Sequence, residues 1–416
     1  MRARRQHRRG MLVLMRRSTA ALFGLLIAVS ASPVSAQGFV DDIEVYADGF
    51  DFLTNLAIAP DGTMFVTEKE LGEILIVRDG RALEEPFATF DVIPDAERGL
   101  LGIALHPRFP DEPWVYVYYS DAGSERNRVV RVRAEGDRAG EIEPLLELLP
   151  ATSGYHNGGD LAFGTDGNLF VVTGEAHNPE RAQAADDLGG KILRITPEGD
   201  IPEDNPFGPG SPVYSMGHRN SFGLCVDPDT GQLWETENGP SEHDEVNRIV
   251  AGENYGWPEV SGPGGGDRYV DPVIDYPNII VPTGCAVVGT RLFWADYALG
   301  SIHYADIQGE GLGQERRIDV GRLMSDVVFN AADGFLYIAA GNTILKAQVG
   351  QPASPTSPSA TTTEPGATPS PPAPPDGEEG RGTLAVIVIA ILLALGLIAM
   401  RGRIRPPDEP PDPMRV

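Results

Sequence analysis

Short apolar runs occur in pairs along most of this chain, and a polar turn separates the two runs of each pair. Several of these turns contain Asp-Gly, as in LAIAPDGTMFV and LAFGTDGNLFV. An Asp-Gly turn between two apolar runs is a strong signal for a β-hairpin. The six predicted hairpins begin at Leu56, Ile103, Leu161, Gly223, Cys285 and Asp326.

The spacing of these hairpins predicts the fold class. Their first residues lie roughly 40 to 60 positions apart, which is the repeat length of a β-propeller blade. Helical periodicity is scarce, and polar turn signals recur throughout. We therefore expect an all-β, six-bladed β-propeller over residues 37–350. Because propeller loops converge on a central channel, functional side chains should lie just outside the hairpins.

The N-terminal segment predicts a secretory signal peptide over residues 1–36. It has seven arginines and no acidic residue, an apolar run at 20–29, and the small-residue pattern Val34-Ser35-Ala36. Removal of these arginines changes the formal charge from −27 to −34. So acidic a protein repels phosphate backbones, and we expect no nucleic-acid partner.

The C-terminal segment predicts a membrane anchor. Residues 351–380 are rich in Pro, Ser and Thr, which is typical of a disordered stalk. An apolar run at 384–400 precedes three arginines, which predicts a transmembrane helix over 381–402 and a short cytoplasmic tail over 403–416. A buried core helix is the alternative, but the flanking stalk and arginines argue against it. We expect a single-pass protein of the cell membrane with an extracytoplasmic propeller.

Two cysteines, Cys225 and Cys285, are the full cysteine content. They are too few for a zinc site or a disulfide scaffold. Each lies in the inner part of one of two successive hairpins, so a disulfide and two buried thiols both remain open.

The segment 217–260 concentrates polar chemistry between two apolar runs. Arg219 offers a planar fork of donors suited to carboxylate or quinone oxygens. Asn238-Gly239-Pro240 forms a predicted sharp turn whose carbonyls could bind calcium. An acidic, solvated loop between strands is the alternative interpretation.

His156 lies in GYHNGGD, directly before the third hairpin. Its glycine neighbours allow close approach of a ligand, and an imidazole there could accept a proton near neutral pH. A structural histidine is the alternative. Glu175 and His177 follow the same hairpin, and we expect both in a solvated loop.

Several ordered motifs resemble the quinoprotein glucose/sorbosone dehydrogenase family, which includes soluble and aldose-type sugar dehydrogenases. The resemblance spans about residues 40–349 and is carried by GLLGIALHPRF, HNGGDLAFGTDGNLFVVTGE, LGGKILRITPEGDIPEDNPF, GHRN, ENGP and GENYGWPEV. It implies a dehydrogenase that uses pyrroloquinoline quinone (PQQ) and Ca²⁺ to oxidise an aldose at its anomeric carbon to the lactone.

The resemblance also implies roles for individual residues. His156 matches the general base that takes the proton from the anomeric hydroxyl. Arg219 matches the arginine that stabilises charge on the quinone oxygen, and Asn220 matches its cofactor-contacting neighbour. Glu97 and Asn238 stand where glutamine is usual, and we expect both to contact the cofactor.

Four further residues match metal ligands of the family. The carbonyls of Gly239 and Pro240 match the ligands of the calcium ion that lies against the quinone. Glu245 and the carbonyl of Tyr255 match a second, structural calcium site.

The chain departs from the family where the cofactor carboxylates are held. The family has a lysine in the fifth hairpin unit and two arginines before the sixth. Here the first place reads Tyr297-Ala298-Leu299-Gly300-Ser301, and Arg322 is the one arginine at the second. Each lost charge-assisted contact costs roughly 1.5–3 kcal/mol, so PQQ affinity should be lower.

Two alternatives follow from these departures and from the acidic residues. The first is a non-catalytic, calcium-binding propeller that acts as an interaction module, as in Hedgehog-interacting proteins, which resemble the same family. The second is a hydrolase that uses Glu97, Glu175 or Asp160 as paired acids. The pattern at 175–195 favours the aldose dehydrogenases. The sugar and the electron acceptor are not predicted.

Overall fold

Each predicted hairpin forms the two inner strands of an antiparallel sheet. The structure, a computed structural model, describes residues 40–151 and 153–350, and within these ranges six sheets of four or five strands are present. The innermost strands contact one another around a ring. The six-bladed, all-β propeller is therefore confirmed.

The first half of the ring contains blades 1 to 3. The chain enters with β1 (Val40–Asp48), which belongs to the last blade. Blade 1 consists of β2 (Leu53–Ile58), β3 (Met64–Glu68), β4 (Glu73–Arg78), β5 (Arg81–Ala82) and β6 (Ala88–Thr89). Blade 2 consists of β7 (Leu100–Leu105), β8 (Trp114–Asp121), β9 (Arg126–Glu135) and β10 (Arg138–Pro150). Blade 3 consists of β11 (Leu161–Phe163), β12 (Leu169–Thr173), β13 (Lys191–Ile195) and β14 (Val213–Met216).

The second half contains blades 4 to 6. Blade 4 consists of β15 (Ser221–Val226), β16 (Leu233–Glu237), β17 (Asp244–Ile249) and β18 (Ile274–Tyr276). Blade 5 consists of β19 (Pro282–Val288), β20 (Arg291–Asp296), β21 (Ser301–Gln308), β22 (Gly311–Leu312) and β23 (Arg316–Asp319). Blade 6 consists of β24 (Asp326–Asn330), β25 (Phe335–Ala340) and β26 (Thr343–Val349). The described helices are the 3-10 turns Pro179–Gln183 and Gly266–Arg268.

The ring closes by pairing the two ends of the described chain. β1 lies antiparallel to β26 as the outer strand of blade 6, with Val40 opposite Val349 and Asp48 opposite Thr343. The N-terminal strand thus completes a sheet whose other strands come from the C-terminal end. This pairing gives β26 a partner on both sides and makes β1 the outer edge strand of the blade.

The hydrophobic core lies between blades, because each inner strand presents side chains to both neighbouring sheets. Phe65 and Ile74 of blade 1 pack with Val115 and Val117 of blade 2. Equivalent clusters of buried apolar side chains lie at the other blade interfaces. This packing fixes the loops of one propeller face around the channel.

No helix in the described part of the chain is long and apolar enough to cross a bilayer. The predicted signal peptide at 1–36, the stalk at 351–380, the transmembrane helix at 381–402 and the tail at 403–416 lie outside the described residues.

Candidate active site

The predicted functional residues lie where the inner hairpins begin and end on one face of the propeller. Glu97, His156 and Arg219 precede β7, β11 and β15, and Asn238 follows β16. Hydrogen bonds connect Glu97 to His156, His156 to Arg219, and Arg219 to Asn238. The structure therefore brings together four residues that are separated by up to 141 positions in the sequence.

His156 pairs with a buried carboxylate. Its Nδ1 lies 2.6 Å from Glu175 Oε1, and Glu175 is 1% exposed. Because a carboxylate can only accept, Nδ1 carries the hydrogen and Nε2 presents a lone pair in the neutral ring. The expectation of a solvated loop is therefore wrong for Glu175. His177 is exposed, as expected, and its ring lies 4.3 Å from that of His156 between centroids.

The backbone around His156 is tightly constrained. His156 has a φ of 59°, which is uncommon for a residue with a side chain. The loop after β12 holds it, because Ala176 N donates to His156 O at 2.9 Å. A Cβ at Gly174 would lie 2.2 Å from the same carbonyl oxygen, so only glycine fits there. Strain of this kind is concentrated at functional sites.

Arg219 lies on the other side of the imidazole. Its Nη2 is 2.9 Å from His156 Nε2, and its Nη1 donates to Asn238 O at 2.7 Å. Its Nε is buried and has no hydrogen-bond partner among the described residues, and the guanidinium lies 5.4 Å above the ring of Trp257. The indole Nε1 of Trp257 is likewise buried without a partner in the described part of the chain. Two buried donors therefore remain available for a ligand with acceptor oxygens.

Glu97 and Asn220 connect three blades beneath this pair. Glu97 Oε2 accepts from His156 N at 2.6 Å and from Asn220 Nδ2 at 3.1 Å. Asn220 Oδ1 accepts from Gly158 N at 3.2 Å. Burial raises the pKa of the Glu97 carboxyl, although its hydrogen bond to His156 N opposes this. Both residues lie at the site, and their side chains fix the positions of His156 and Arg219.

The turn after β16 exposes main-chain oxygens beside Arg219. Gly239 N donates to Asp244 Oδ1 at 2.8 Å, which fixes the turn. The side chain of Asn238 points to blade 5, where its Nδ2 donates to Pro282 O at 3.1 Å. Within the described ranges, the carbonyls of Gly239 and Pro240 accept no hydrogen bond. These two oxygens are therefore free to act as ligands for a hard cation.

A second polar group lies directly behind Arg219, between blades 3 and 4. His218, Glu235 and Glu237 place their ligand atoms within 4.8 Å of one another. Glu245 lies opposite Glu237 in the strand pairing, and the ring of Tyr255 stacks on His218 at 4.7 Å. Glu245 and Tyr255, predicted as ligands of one metal, thus border the same cluster.

The carboxylates of this cluster favour the binding of protons or of a cation. Burial opposes protonation of His218, but Glu235 and Glu237 outweigh burial and raise its pKa to about 10. Burial, followed by repulsion from Glu237, raises the pKa of Glu245 to about 8. The Glu237 carboxylate also accepts from Arg219 N at 2.5 Å. The cluster therefore supports the main chain of Arg219 and carries an excess of carboxylates that a cation could neutralise.

Sequence reasoning missed Glu237, Trp257 and Lys191 as parts of this site. Glu235 and Glu237 alternate on β16, which is the signal that both carboxylates share one face. Lys191 is fully buried, and its Nζ donates to the carbonyls of Arg181, Ala182 and Gly189. It thereby fixes the loop that carries Glu175.

Comparison with known proteins identifies the family to which the chain belongs. The family model described as glucose/sorbosone dehydrogenase matches residues 50–346. The chain belongs to this family. It is 33% identical over 244 residues to aldose sugar dehydrogenase YliI of Escherichia coli, covering 56% of this chain and 66% of that protein. It is 32% identical over 236 residues to quinoprotein glucose dehydrogenase B of Acinetobacter calcoaceticus, covering 49% of each.

A solved structure gives the same result. This family member is similar to the PQQ-bound form of aldose sugar dehydrogenase from Streptomyces coelicolor, with a TM-score of 0.68 and 32% sequence identity. The alignment covers 74% of the present chain and 98% of the Streptomyces chain. The chain spans about half to two thirds of the length of the curated relatives it matches. The predicted family resemblance is therefore confirmed.

Proposed function

We propose that this protein is a PQQ- and Ca²⁺-dependent dehydrogenase that oxidises an aldose at its anomeric carbon to the lactone. The observation that carries the proposal is the series of contacts Glu175–His156–Arg219. It gives one imidazole nitrogen a carboxylate partner and the other a guanidinium neighbour. This arrangement suits removal of a hydroxyl proton next to a centre that develops negative charge.

His156 acts as the general base in this proposal. A substrate hydroxyl takes the place of Arg219 as the hydrogen-bond partner of Nε2 and transfers its proton to that nitrogen. Glu175, which accepts from Nδ1 at 2.6 Å, holds the ring orientation and stabilises the imidazolium that forms. A positioned base of this kind contributes about 10²–10⁴-fold in rate.

The residues present fit PQQ at the reacting centre. The buried, unpartnered donors Arg219 Nε and Trp257 Nε1 match a ligand with several acceptor oxygens. Arg219, Asn220, Glu97 and Asn238 would surround it. When bound, the quinone supplies the acceptor for the hydride that leaves the anomeric carbon. Arg219 keeps its charge fixed by a contact to Asn238 O and so stabilises negative charge without reorganisation.

Calcium fits two places in the same region. The unused carbonyls of Gly239 and Pro240 lie in a turn fixed by Asp244. A bound ion there would act as a Lewis acid beside the cofactor. The Tyr255 carbonyl also accepts no hydrogen bond within the described residues, and Glu245 is buried nearby. These two would hold a structural ion.

The cellular location is part of the proposal. We infer an extracytoplasmic propeller attached to a membrane by the C-terminal apolar segment. The disulfide between Cys225 and Cys285 supports an oxidising compartment. The apolar run at 384–400 and the arginines after it support the anchor.

Reconstitution tests the proposed function directly. The purified protein is incubated with CaCl₂ and PQQ, and dye reduction is measured with a panel of aldoses. We expect sugar-dependent dye reduction that requires both additions. Binding of calcium without quinone binding and without turnover would instead indicate a non-catalytic propeller.

A further inference from the structure

Lys69 lies on the same propeller face as the candidate active site, between blades 1 and 2. It directly follows β3 and is 8% exposed. Its N–H donates to Phe52 O at 2.9 Å, and its carbonyl accepts from Leu100 N at 3.0 Å. The main chain of this lysine is therefore fixed relative to the strand that Glu97 precedes.

The stem of Lys69 passes the segment that leads from Glu97 to β7. A Cβ at Gly99 would lie 2.8 Å from Lys69 Cγ and 2.4 Å from Lys69 O. Gly99 also has a φ of 142°, which favours glycine. The absence of a side chain at Gly99 provides the space that the lysine stem occupies. Glu97, two residues earlier, bonds to His156 N and Asn220 Nδ2. Lys69 thus lies beside the residue that supports the catalytic histidine.

The ammonium group of Lys69 has no partner among the residues that the structure describes. Within residues 40–151 and 153–350, no hydrogen bond and no carboxylate within 4.0 Å is present at its Nζ. Lys191, the other strongly buried lysine, has three carbonyl partners. Burial lowers the pKa of Lys69, whereas the charges of Glu70, Asp95 and Glu97 favour the ammonium form. The stem of Lys69 is therefore buried, whereas its ammonium end is not fully enclosed and can pair with an anion.

The arginines near the mouth of the propeller channel already have hydrogen-bond partners, unlike the ammonium group of Lys69. Arg219 already contacts His156 and Asn238. Arg322 is exposed and donates to Thr343 Oγ1 at 3.1 Å. In blade 5, the ring of Tyr297 contacts Phe52, whose carbonyl holds Lys69 N. Lys69 is therefore the buried lysine at this mouth whose nitrogen is uncommitted, within the described part of the chain.

We propose that Lys69 binds a carboxylate of PQQ and so contributes a cofactor anchor from blade 1. This inference rests on the proposed function. It explains how a chain without a lysine at 297–301 can hold a tricarboxylate cofactor. A lysine–carboxylate contact is a charge-assisted hydrogen bond, and its loss should weaken binding about ten- to hundredfold.

The test compares Lys69→Met with Lys346→Met in the full-length protein. Lys346 is the matched control, because it is a partly buried lysine in β26 that lies 3.9 Å above the Phe335 ring. Dissociation constants are measured by calorimetry in calcium buffer for PQQ and for its uncharged trimethyl ester. Thermal unfolding confirms that each variant is folded. Lys69→Arg, which keeps the charge, should bind PQQ more tightly than Lys69→Met does.

The outcomes separate this inference from the proposed function. We expect Lys69→Met to weaken PQQ binding about ten- to hundredfold and to leave ester binding nearly unchanged, while Lys346→Met binds both as the wild type does. If the wild type binds PQQ and Lys69→Met binds it equally well, or loses acid and ester alike, the anchor role is wrong. If the wild-type protein binds no PQQ, the proposed function fails and the inference fails with it.

Discussion

At the scale of single residues, the proton chemistry depends on the contact between Glu175 and His156. Glu175→Gln replaces a carboxylate acceptor by an amide of the same shape, so Nδ1 keeps a partner but the imidazolium loses its compensating charge. We expect kcat to fall about 10–100-fold with little change in PQQ affinity, because Glu175 is 1% exposed and contacts the imidazole nitrogen opposite the one that Arg219 contacts. Steady-state kinetics and a PQQ titration of the same preparation check this, with Glu180→Gln on the nearby 3-10 turn as the control.

Arg219 should be required for cofactor binding and not only for turnover. Its guanidinium combines an unpartnered buried Nε with fixed contacts to Asn238 O and His156 Nε2. Arg219→Lys keeps the charge and loses the planar fork, so we expect PQQ affinity to fall at least about tenfold. Fluorescence titration with PQQ measures this, and Arg138→Lys, at an exposed arginine bound to Glu85, serves as the control. Unchanged affinity in Arg219→Lys would contradict the assignment.

Sequence patterns predicted that His156, Arg219, Glu97 and Asn220 lie shortly before inner strands, and the structure places all four there. The burial of Glu175 could not be predicted in the same way. The burial depends on a loop that folds back because Lys191 donates to three of its carbonyls. No local sequence pattern predicts these three hydrogen bonds. The free donors of Arg219 and Trp257 likewise depend on which partners the surrounding loops supply.

At the scale of elements, the Cys225–Cys285 disulfide joins the innermost strands of blades 4 and 5, with the two Cα atoms 5.6 Å apart. It closes a separation of 60 residues. In the chain-entropy model, its loss should lower the free energy of unfolding by about 2–4 kcal/mol. The Cys225→Ser/Cys285→Ser variant, compared with oxidised and reduced wild type by urea unfolding, checks this. Equal urea-unfolding midpoints for all three proteins would show that the disulfide contributes nothing to stability.

Inner and outer strands differed in how well the sequence predicted them. All six inner hairpins follow from apolar runs around polar turns, since these strands are buried on both faces. The outer strand β10 has mostly exposed or half-buried residues and carries no clear alternation. β1 was not expected as the closing strand, because its partner β26 is about 300 residues away. Long-range pairing of this kind leaves no local sequence signal.

At the scale of the whole molecule, two buried carboxyls connect blades through the channel. Asp160 of blade 3 accepts from Asn55 Nδ2 of blade 1 and from Leu224 N of blade 4. Asp326 accepts from Leu56 N at 3.0 Å. Because Asp160 accepts these hydrogen bonds between blades, it has a structural role, which argues against its use as the acid of a hydrolase.

The channel carboxyls should make stability depend on pH. Burial raises the pKa of Asp160 from 3.8 to about 6, and burial together with the charge of Asp160 raises that of Asp326. The folded state therefore holds these protons more tightly than the unfolded state. The stabilisation is complete below pH 3.8 and is lost as the pH rises through about 6.

Asp160→Asn removes this titration. Between pH 4 and pH 7, the unfolding free energy of the wild type relative to Asp160→Asn should fall by on the order of 2–3 kcal/mol. Urea unfolding of both proteins across this range gives the difference. A difference that stays constant with pH would mean that Asp160 ionises normally in the folded protein.

In the proposed reaction, His156 removes the proton that accompanies hydride transfer to bound PQQ. This step is measured by single-turnover reduction of bound PQQ, followed by absorbance in the calcium-loaded protein with an aldose that the reconstituted enzyme oxidises. We expect rapid reduction in the wild type, and in His156→Gln normal PQQ binding with reduction at least about 100-fold slower. Reduction of His156→Gln at the wild-type rate, with PQQ bound in both, would contradict it.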